Sequence, residues 1–381
     1  MPLGSFASGL KRETPPLSMP LESAGGGSRQ EAGSLPSTLT IVAAGDNLIH
    51  DVIIREAQKE EGVYDFTLFY APVKPLIEAA DIAFINQETL LAGRRFGYSG
   101  YPRFNTPQEA GIALLDMGFD VINHANNHVM DKGEEAVFAT MDFWDDRAQA
   151  SYLGIRRSQE QRERPLIIEK NRITLGFLSY TYGTNGLRTP KDKPYLVSLI
   201  NTEKMAEEIG ALRPGCDFLV VSMHWGTEYE KAPNREQEKL AQFLARHNVD
   251  LIIGHHPHVL QPAVYLPRPD GGETLCVYSL GNFLSAQDMN AALLGGLLYV
   301  RLTKAPDGGG AVVIEQAGIL PLVTHYEEGY TAFRVYPLYD YTPELAARHR
   351  NKARSDLSLS SLRALAGKAA GALLMDADPF K

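Results

Sequence analysis

The sequence predicts an α/β protein in which two sheets pack together with helices outside, and three features carry that prediction. Short apolar runs of strand length alternate with helix-length stretches over the first two thirds of the chain. Strand-like runs then pile up towards the end, which calls for a second sheet. The apolar runs also end repeatedly in acidic, amide or imidazole residues, where open α/β sheets commonly place their chemistry.

Length and composition narrow the field. The 381 residues allow one large domain or two small ones, and the net charge of −9 argues against a nucleic-acid binder that works by neutralising phosphates. Cys216 and Cys276 form no C-x-x-C pattern, so they read as two buried thiols, with a single disulfide as the alternative. No run approaches the roughly eighteen apolar residues of a membrane span. Residues 1–37, with Gly25-Gly26-Gly27-Ser28 and several prolines, read as a disordered leader or linker without the apolar segment of a signal peptide. The expected organisation is that leader, a main domain over 38–342, and a peripheral helical segment over 343–381.

Order begins at the apolar run 39–44 and leads into Gly45-Asp46-Asn47. Asp46 can cap the helix that follows or serve as a ligand. Helices are expected over 52–61 and 72–79, then a strand over 82–85 that runs into Asn86-Gln87-Glu88. After a loop by composition, Tyr101-Pro102-Arg103-Phe104-Asn105-Thr106-Pro107, a helix over 108–117 leads to a strand at 120–123 that opens into His124-Ala125-Asn126-Asn127-His128. The stripe Ala136, Val137, Thr140, Met141 and Trp144 marks a core-packing helix over 134–149. Runs 166–168 and 173–178, parted by Asn171, form a hairpin, and the glycine-rich Tyr180–Gly186 segment suits either a substrate-facing or an ordinary surface loop. A helix over 202–212 precedes the buried strand that delivers His224, and a helix over 235–247 precedes the strand 251–253. That strand opens into Gly254-His255-His256-Pro257-His258, where the proline restricts its neighbours so that imidazoles on either side can share a cavity. Strand-like runs at 274–279, 297–302, 311–315 and 332–335 complete the chain.

Five strand ends therefore carry Asp46, Glu88, Asn127 with His128, His224, and His256 with His258. Carboxylate, amide and imidazole donors without thiolate suit Mn, Fe or Zn better than Ca or a structural zinc. They are too many for one ion, which points to two divalent ions about 3.5–4 Å apart bridged by a carboxylate. His255 and His124 read as packing or as support behind the site; His50, His247, His325 and His349 read as structural or exposed.

The ordered blocks Gly45-Asp46, Asn86-Gln87-Glu88, Asn126-Asn127-His128, His224-Trp225-Gly226 and His256-Pro257-His258-Val259-Leu260-Gln261-Pro262 resemble those of the poly-γ-glutamate capsule-synthesis CapA family, within the calcineurin-like metallophosphoesterase superfamily. Tyr182-Gly183-Thr184-Asn185-Gly186 and Tyr278-Ser279-Leu280-Gly281-Asn282-Phe283 also look like segments of that family. The resemblance implies a four-layer αββα sandwich of two mixed sheets with a two-metal centre between their ends. By that carry-over Asp46, Glu88 and His258 hold one ion, while Glu88, Asn127, His224 and His256 hold the other. The ions supply a bridging hydroxide, and His128 protonates the leaving group as general acid. Arg103, Asn105 and Asn185 face an anionic substrate in the same picture. One departure stands out: Leu48 occupies the place where most phosphoesterases of the superfamily carry a histidine ligand, so the first ion lacks a donor unless Asn47, His50 or water provides it.

Two function classes follow. One is a metal-dependent hydrolase or transferase of a phosphoester or γ-glutamyl-type amide; the other is a polymer-binding or export subunit of a capsule-synthesis complex with little turnover. The resemblance implies an anionic polymer or phosphoester substrate, a membrane-bound ligase complex as partner, and the outer face of the membrane as location, with the anchor absent from this chain; a cytoplasmic location is the alternative.

Overall fold

A computed structural model describes residues 36–306 and 311–381. The leader expected over residues 1–37 lies outside the described residues except for its last two.

The first sheet draws on both ends of the chain. β1 (Ser37–Asn47) is followed by a separate small hairpin of β2 (Gln58–Glu60) and β3 (Val63–Tyr64), then by β4 (Ile82–Gln87), β5 (Val121–Asn123) and β6 (Ser151–Leu153). β1, β4, β5 and β6 run parallel. The middle of the chain builds a second sheet from β7 (Leu166–Lys170), β8 (Ile173–Thr181), β9 (Phe218–His224), β10 (Leu251–His255), β11 (Leu260–Pro267) and β12 (Glu273–Leu280). Its order is β11-β12-β10-β9-β8-β7, with antiparallel edges at β7 and β11. The chain then returns to the first sheet through β13 (Asn282–Leu284), β14 (Leu294–Lys304), β15 (Val313–Glu327) and β16 (Thr331–Pro337), giving the order β16-β15-β14-β1-β4-β5-β6 with β13 beside the end of β1.

Strands covered on both faces must be apolar throughout, and the central ones are. Val220, Leu251, Ile253 and Val277 of the second sheet share one apolar cluster with Ile41, Ala43, Phe84 and Leu298 of the first. Their neighbours Leu219, Val221, Ile252 and Cys276 turn the other way, onto Met205, Ile209, Leu240 and Leu244 of the helices Thr202–Leu212 and Arg235–Arg246. The helices Asp51–Ala57, Glu109–Asp116 and Glu134–Asp145 add Ile53, Leu114, Phe143 and Trp144 to the core of the first sheet. The architecture is the αββα sandwich of mixed sheets that the sequence implied. Cys216 and Cys276 are both free thiols.

Local departures have local causes. The helix expected over 52–61 ends at Ala57, because its apolar face stops there and Gly62, at φ 78°, turns the chain into the small hairpin. The helix expected over 72–79 is found as the short Lys74–Glu78, preceded by a separate helical turn, Thr67–Tyr70. β11 was hidden by Pro262 and Pro267, which an edge strand tolerates. Among the described residues no helix is long and apolar enough to cross a membrane.

The tail forms helices Pro343–Arg348 and Leu359–Ala370, the second of which packs against β11 at the edge of the second sheet. His349 Nε2 lies 3.2 Å from the Thr324 carbonyl, and Nδ1 of His325 lies 2.8 Å from the Tyr341 hydroxyl. Both imidazoles are buried, and burial pushes each down to about 4. They stay neutral in the fold while the unfolded chain takes up protons below about pH 6.5, so stability is full above that pH and falls as the pH drops towards 4. The double variant His325→Gln/His349→Asn is expected to lose less stability than wild type between pH 7.5 and 5, by about 1–2 kcal/mol per imidazole. Urea denaturation at the two pH values checks this, and equal losses would contradict it.

Candidate metal centre

The strand ends gather at one rim where two glycines let backbone approach backbone, one at the junction of the sheets and one between adjacent strands of the second sheet. A Cβ on Gly45 would stand 2.0 Å from the Gly281 carbonyl, and one on Gly254 would stand 1.9 Å from the Tyr278 carbonyl. In the space so gained, Asp46 N donates to Gly281 O at 2.8 Å, and Asp46 pairs with Asn86 on one side and Asn282 on the other. A ladder of amides then crosses the first sheet: Asn123 Nδ2 donates to Asn86 Oδ1 at 2.9 Å, and Asn86 Nδ2 donates to Asp46 Oδ1 at 2.8 Å. From the second sheet, His224 and His255 end adjacent strands in register. The loop beyond holds His256 at φ 98° and His258 at φ 57°, a left-handed backbone that costs a side-chain-bearing residue about 1–3 kcal/mol.

The result is a buried cluster. Glu88 Oε1 lies 3.6 Å from His224 Nε2 and 3.7 Å from His258 Nε2. His258 Nδ1 stands 3.1 Å from Asp46 Oδ2, and His224 Nε2 stands 2.9 Å from Asn127 Oδ1. Two sets of donor atoms converge, Glu88 with His256 and His258, and Asp46 with Glu88 and His224, and Glu88 belongs to both. Glu88 Oε1 and the Nδ1 atoms of His224, His256 and His258 are buried without a hydrogen-bond partner, which is costly unless a cation meets them.

Electrostatics favour the same occupant. Burial and the nearby Asp46 push Glu88 well above the usual carboxylate range. Burial alone would raise Asp46 too, but His255 and His258 outweigh it and hold that carboxyl well below its usual range. Burial and His256 push His224 well down, and burial and His258 push His256 down to about 3, so both imidazoles keep the lone pairs that ligation requires. Only His258 goes up, to about 9, where Glu88 and Asp46 overcome its burial. The donor set fits a divalent ion.

Beside the cluster, His128 Nδ1 lies 2.8 Å from Asp131 Oδ2, and that oxygen also accepts from Phe104 N. Asn185 is brought in from the loop after β8: its Oδ1 accepts from Asn127 Nδ2 at 3.1 Å and its Nδ2 lies 3.4 Å from His128 Nδ1. Arg103 is exposed next to Phe104, whose ring packs on His128 at 4.7 Å. Asn105 is a correction: its Oδ1 accepts from Ala92 N and its Nδ2 donates to the carbonyls of Gly93 and Gly97, so it clamps its own loop and has nothing left for a substrate. Of the suggested substitutes for the ligand missing at Leu48, Asn47 is engaged by Gln87 and Tyr70, while the contacts of His50 with the Leu48 carbonyl and the Ala286 amide both use Nδ1.

Sequence reasoning gave no role to Asn86, Asn123 and Asp131, left His255 between packing and support behind the site, and placed Tyr182 in a loop that could face substrate or solvent. The spacing of Asp131, three residues after His128, was the one available signal. Tyr182 lies 4.7 Å from His256 and nearly parallel to His224, and burial and Glu228 push its hydroxyl up to about 12.

Fold and donor set together define a two-sheet α/β protein with a candidate metal centre at its strand ends. The family model described as bacterial capsule synthesis protein PGA_cap matches residues 40–287, and the chain belongs to that family. It is 30% identical over 242 residues to the PGA biosynthesis protein CapA of Bacillus subtilis (strain 168), covering 62% of this chain and 61% of that protein. To the capsule biosynthesis protein CapA of Bacillus anthracis it is 29% identical over 212 residues, 54% of this chain and 49% of that one. The chain thus spans about half to three fifths of these relatives. Among solved structures, the NAD nucleotidase NadN of Haemophilus influenzae aligns with a TM-score of 0.45 and 12% identity, over 86% of this chain and 59% of that one.

The close approach of these backbones yields a test. Gly45→Ala and Gly254→Ala each drive a Cβ into backbone that cannot move aside, and each is expected to cost about 3 kcal/mol or more. Urea denaturation measures it; a cost below about 1 kcal/mol would mean that the strand ends are not held this tightly.

Proposed function

We propose that the chain is a CapA-type component of poly-γ-glutamate capsule synthesis. In this reading its rim holds two divalent ions, Mn, Fe or Zn, and hydrolyses a phosphoester or a γ-glutamyl-type amide. The reading rests on one observation above others: two converging donor sets share the buried carboxylate of Glu88 beside a paired His128 and Asp131. Asp46, Glu88, Asn127, His224, His256 and His258 would hold the ions. Bound there, they would supply Lewis acidity towards the substrate oxygen and make water a nucleophile at neutral pH.

The residues do the remainder. Asp131 holds His128 by Nδ1, which leaves Nε2 to hand a proton to the departing oxygen or nitrogen. Asn185 fixes Asn127 relative to that imidazole. Arg103, exposed beside Phe104, is available to an anionic polymer or phosphoester. The names of the curated relatives support a place in capsule synthesis; the proposed partner is a membrane-bound ligase complex and the proposed location the outer face of the membrane.

A second reading is a polymer-binding or export subunit with little turnover. The observation in its favour is Leu48, buried and apolar, where the superfamily resemblance calls for a ligand.

Metal analysis of the purified chain is expected to give up to two divalent ions, with at least one lost in His256→Ala; full retention in that variant would refute the assignment. In a screen of a phosphodiester and a γ-glutamyl anilide with added Mn, turnover is expected to fall about 10²–10⁴-fold in His128→Ala while metal is kept. Wild-type protein that binds polyglutamate and turns over neither probe would favour the second reading.

A further inference from the structure

His255 contributes no atom to the converging donor sets, yet its imidazole stands almost as close to Asp46 as that of His258 does. It ends β10, is fully buried, and places Nδ1 3.2 Å from Asp46 Oδ1, at ion-pair distance. Its ring lies over Phe84 of the opposite sheet at 5.9 Å and 24°, which fixes the ring plane. Both ring nitrogens are buried without a hydrogen-bond partner. Packing alone does not explain a histidine here, since an apolar ring would stack on Phe84 without that desolvation cost.

The carboxylate of Asp46 is met on both oxygens. Oδ1 accepts from Asn86 and faces His255; Oδ2 faces His258 and accepts from His256 N at 3.2 Å. The Leu48 side chain brings no donor to this side of the centre, Asn47 is bound elsewhere, and His50 is tied through Nδ1 to the Leu48 carbonyl and the Ala286 amide. The converging donor sets contain Asp46, Glu88, His224, His256 and His258 but not His255, so its reach extends to the carboxylate and no further. We infer that His255 is a positioning residue: from the opposite sheet it orients the Asp46 carboxylate towards the first ion and does the work that position 48 leaves undone. The inference rests on the metal-binding reading proposed above. Groups that orient a ligand in this way typically change metal affinity 10–100-fold when removed.

The test compares wild type, His255→Phe, which keeps the stack on Phe84, and His255→Asn, which restores a nitrogen near the place of Nδ1. Mn²⁺ titration followed by the EPR signal of the free ion gives affinities, and melting of the EDTA-treated proteins reports the fold. The expected result for His255→Phe is one ion weakened about 10–100-fold, with the EDTA-form melting temperature unchanged and much of the affinity recovered in His255→Asn. Wild-type affinity in His255→Phe would overturn the inference and leave the metal reading standing. A lowered melting temperature without selective loss of one ion would reduce His255 to packing and overturn it likewise. A wild type that binds no Mn²⁺ would remove the metal reading itself, and this inference with it.

Discussion

Everything at the rim answers to one electrostatic demand: two carboxylates, Asp46 and Glu88, are buried close enough to raise each other's cost of ionisation. Left to themselves in a medium of low polarity, one of them would take a proton. The fold instead surrounds Asp46 with Asn86 Nδ2, the backbone N–H of His256 and the imidazoles of His255 and His258, and keeps it charged. Glu88 receives much less. Among the described residues its carboxylate is approached by Asn86 Nδ2 at 3.4 Å to Oε2, and its Oε1 has no hydrogen-bond partner. A carboxylate left short of donors while facing two imidazoles is a position that a cation completes.

The division of labour between the sheets explains why the fold and the centre cannot be separated. Oxygen donors follow strands of the first sheet: Asp46 on β1, Glu88 after β4 and Asn127 after β5. Nitrogen donors come from the second: His224 on β9, and His256 and His258 after β10. Neither sheet holds a site alone. β13 closes the two together when the chain leaves β12 and pairs at once with the end of β1, which is where Gly45 and Gly281 must touch. Strain at His256 and His258 belongs to the same closure, because a relaxed backbone would carry those imidazoles elsewhere.

How much of this was legible follows from what burial does to sequence. Parallel strands covered on both faces become uninterrupted apolar runs, so residues such as Ile253 or Ile85 announce the strand, and the first polar residue beyond marks the rim. That logic reached Asp46, Glu88, His224, His256 and His258, and the two-sheet fold with them. It failed where a residue's neighbours lie across the fold. His255 sits inside a buried strand and reads as packing until Asp46 is found opposite. Asn86 and Asn123 are common amides whose ladder exists only once β4 and β5 lie side by side. Asn105 failed in the opposite direction, since the composition of a loop says nothing about which way an amide points.

The two functional readings part over His128 and Asp131. Both side chains are almost wholly buried, at 7% and 1% exposure, and burying a potentially charged pair carries a desolvation cost that often exceeds its mutual attraction. A surface that only binds a polymer gains nothing from that expense, because exposed cations such as Arg103 serve it more cheaply. A proton donor does gain: enclosure fixes the tautomer through Asp131 and holds the ring rigid against Phe104. The pair stands one residue from Asn127, whose Oδ1 touches His224 and whose Nδ2 reaches Asn185, so imidazole and donor cluster are locked in one hydrogen-bonded unit. Leu48 pulls the other way by removing a donor that the resemblance implies on one side of the centre, yet it leaves the His128–Asp131 pair untouched. It is this balance of physical cost that makes the hydrolase the reading proposed first.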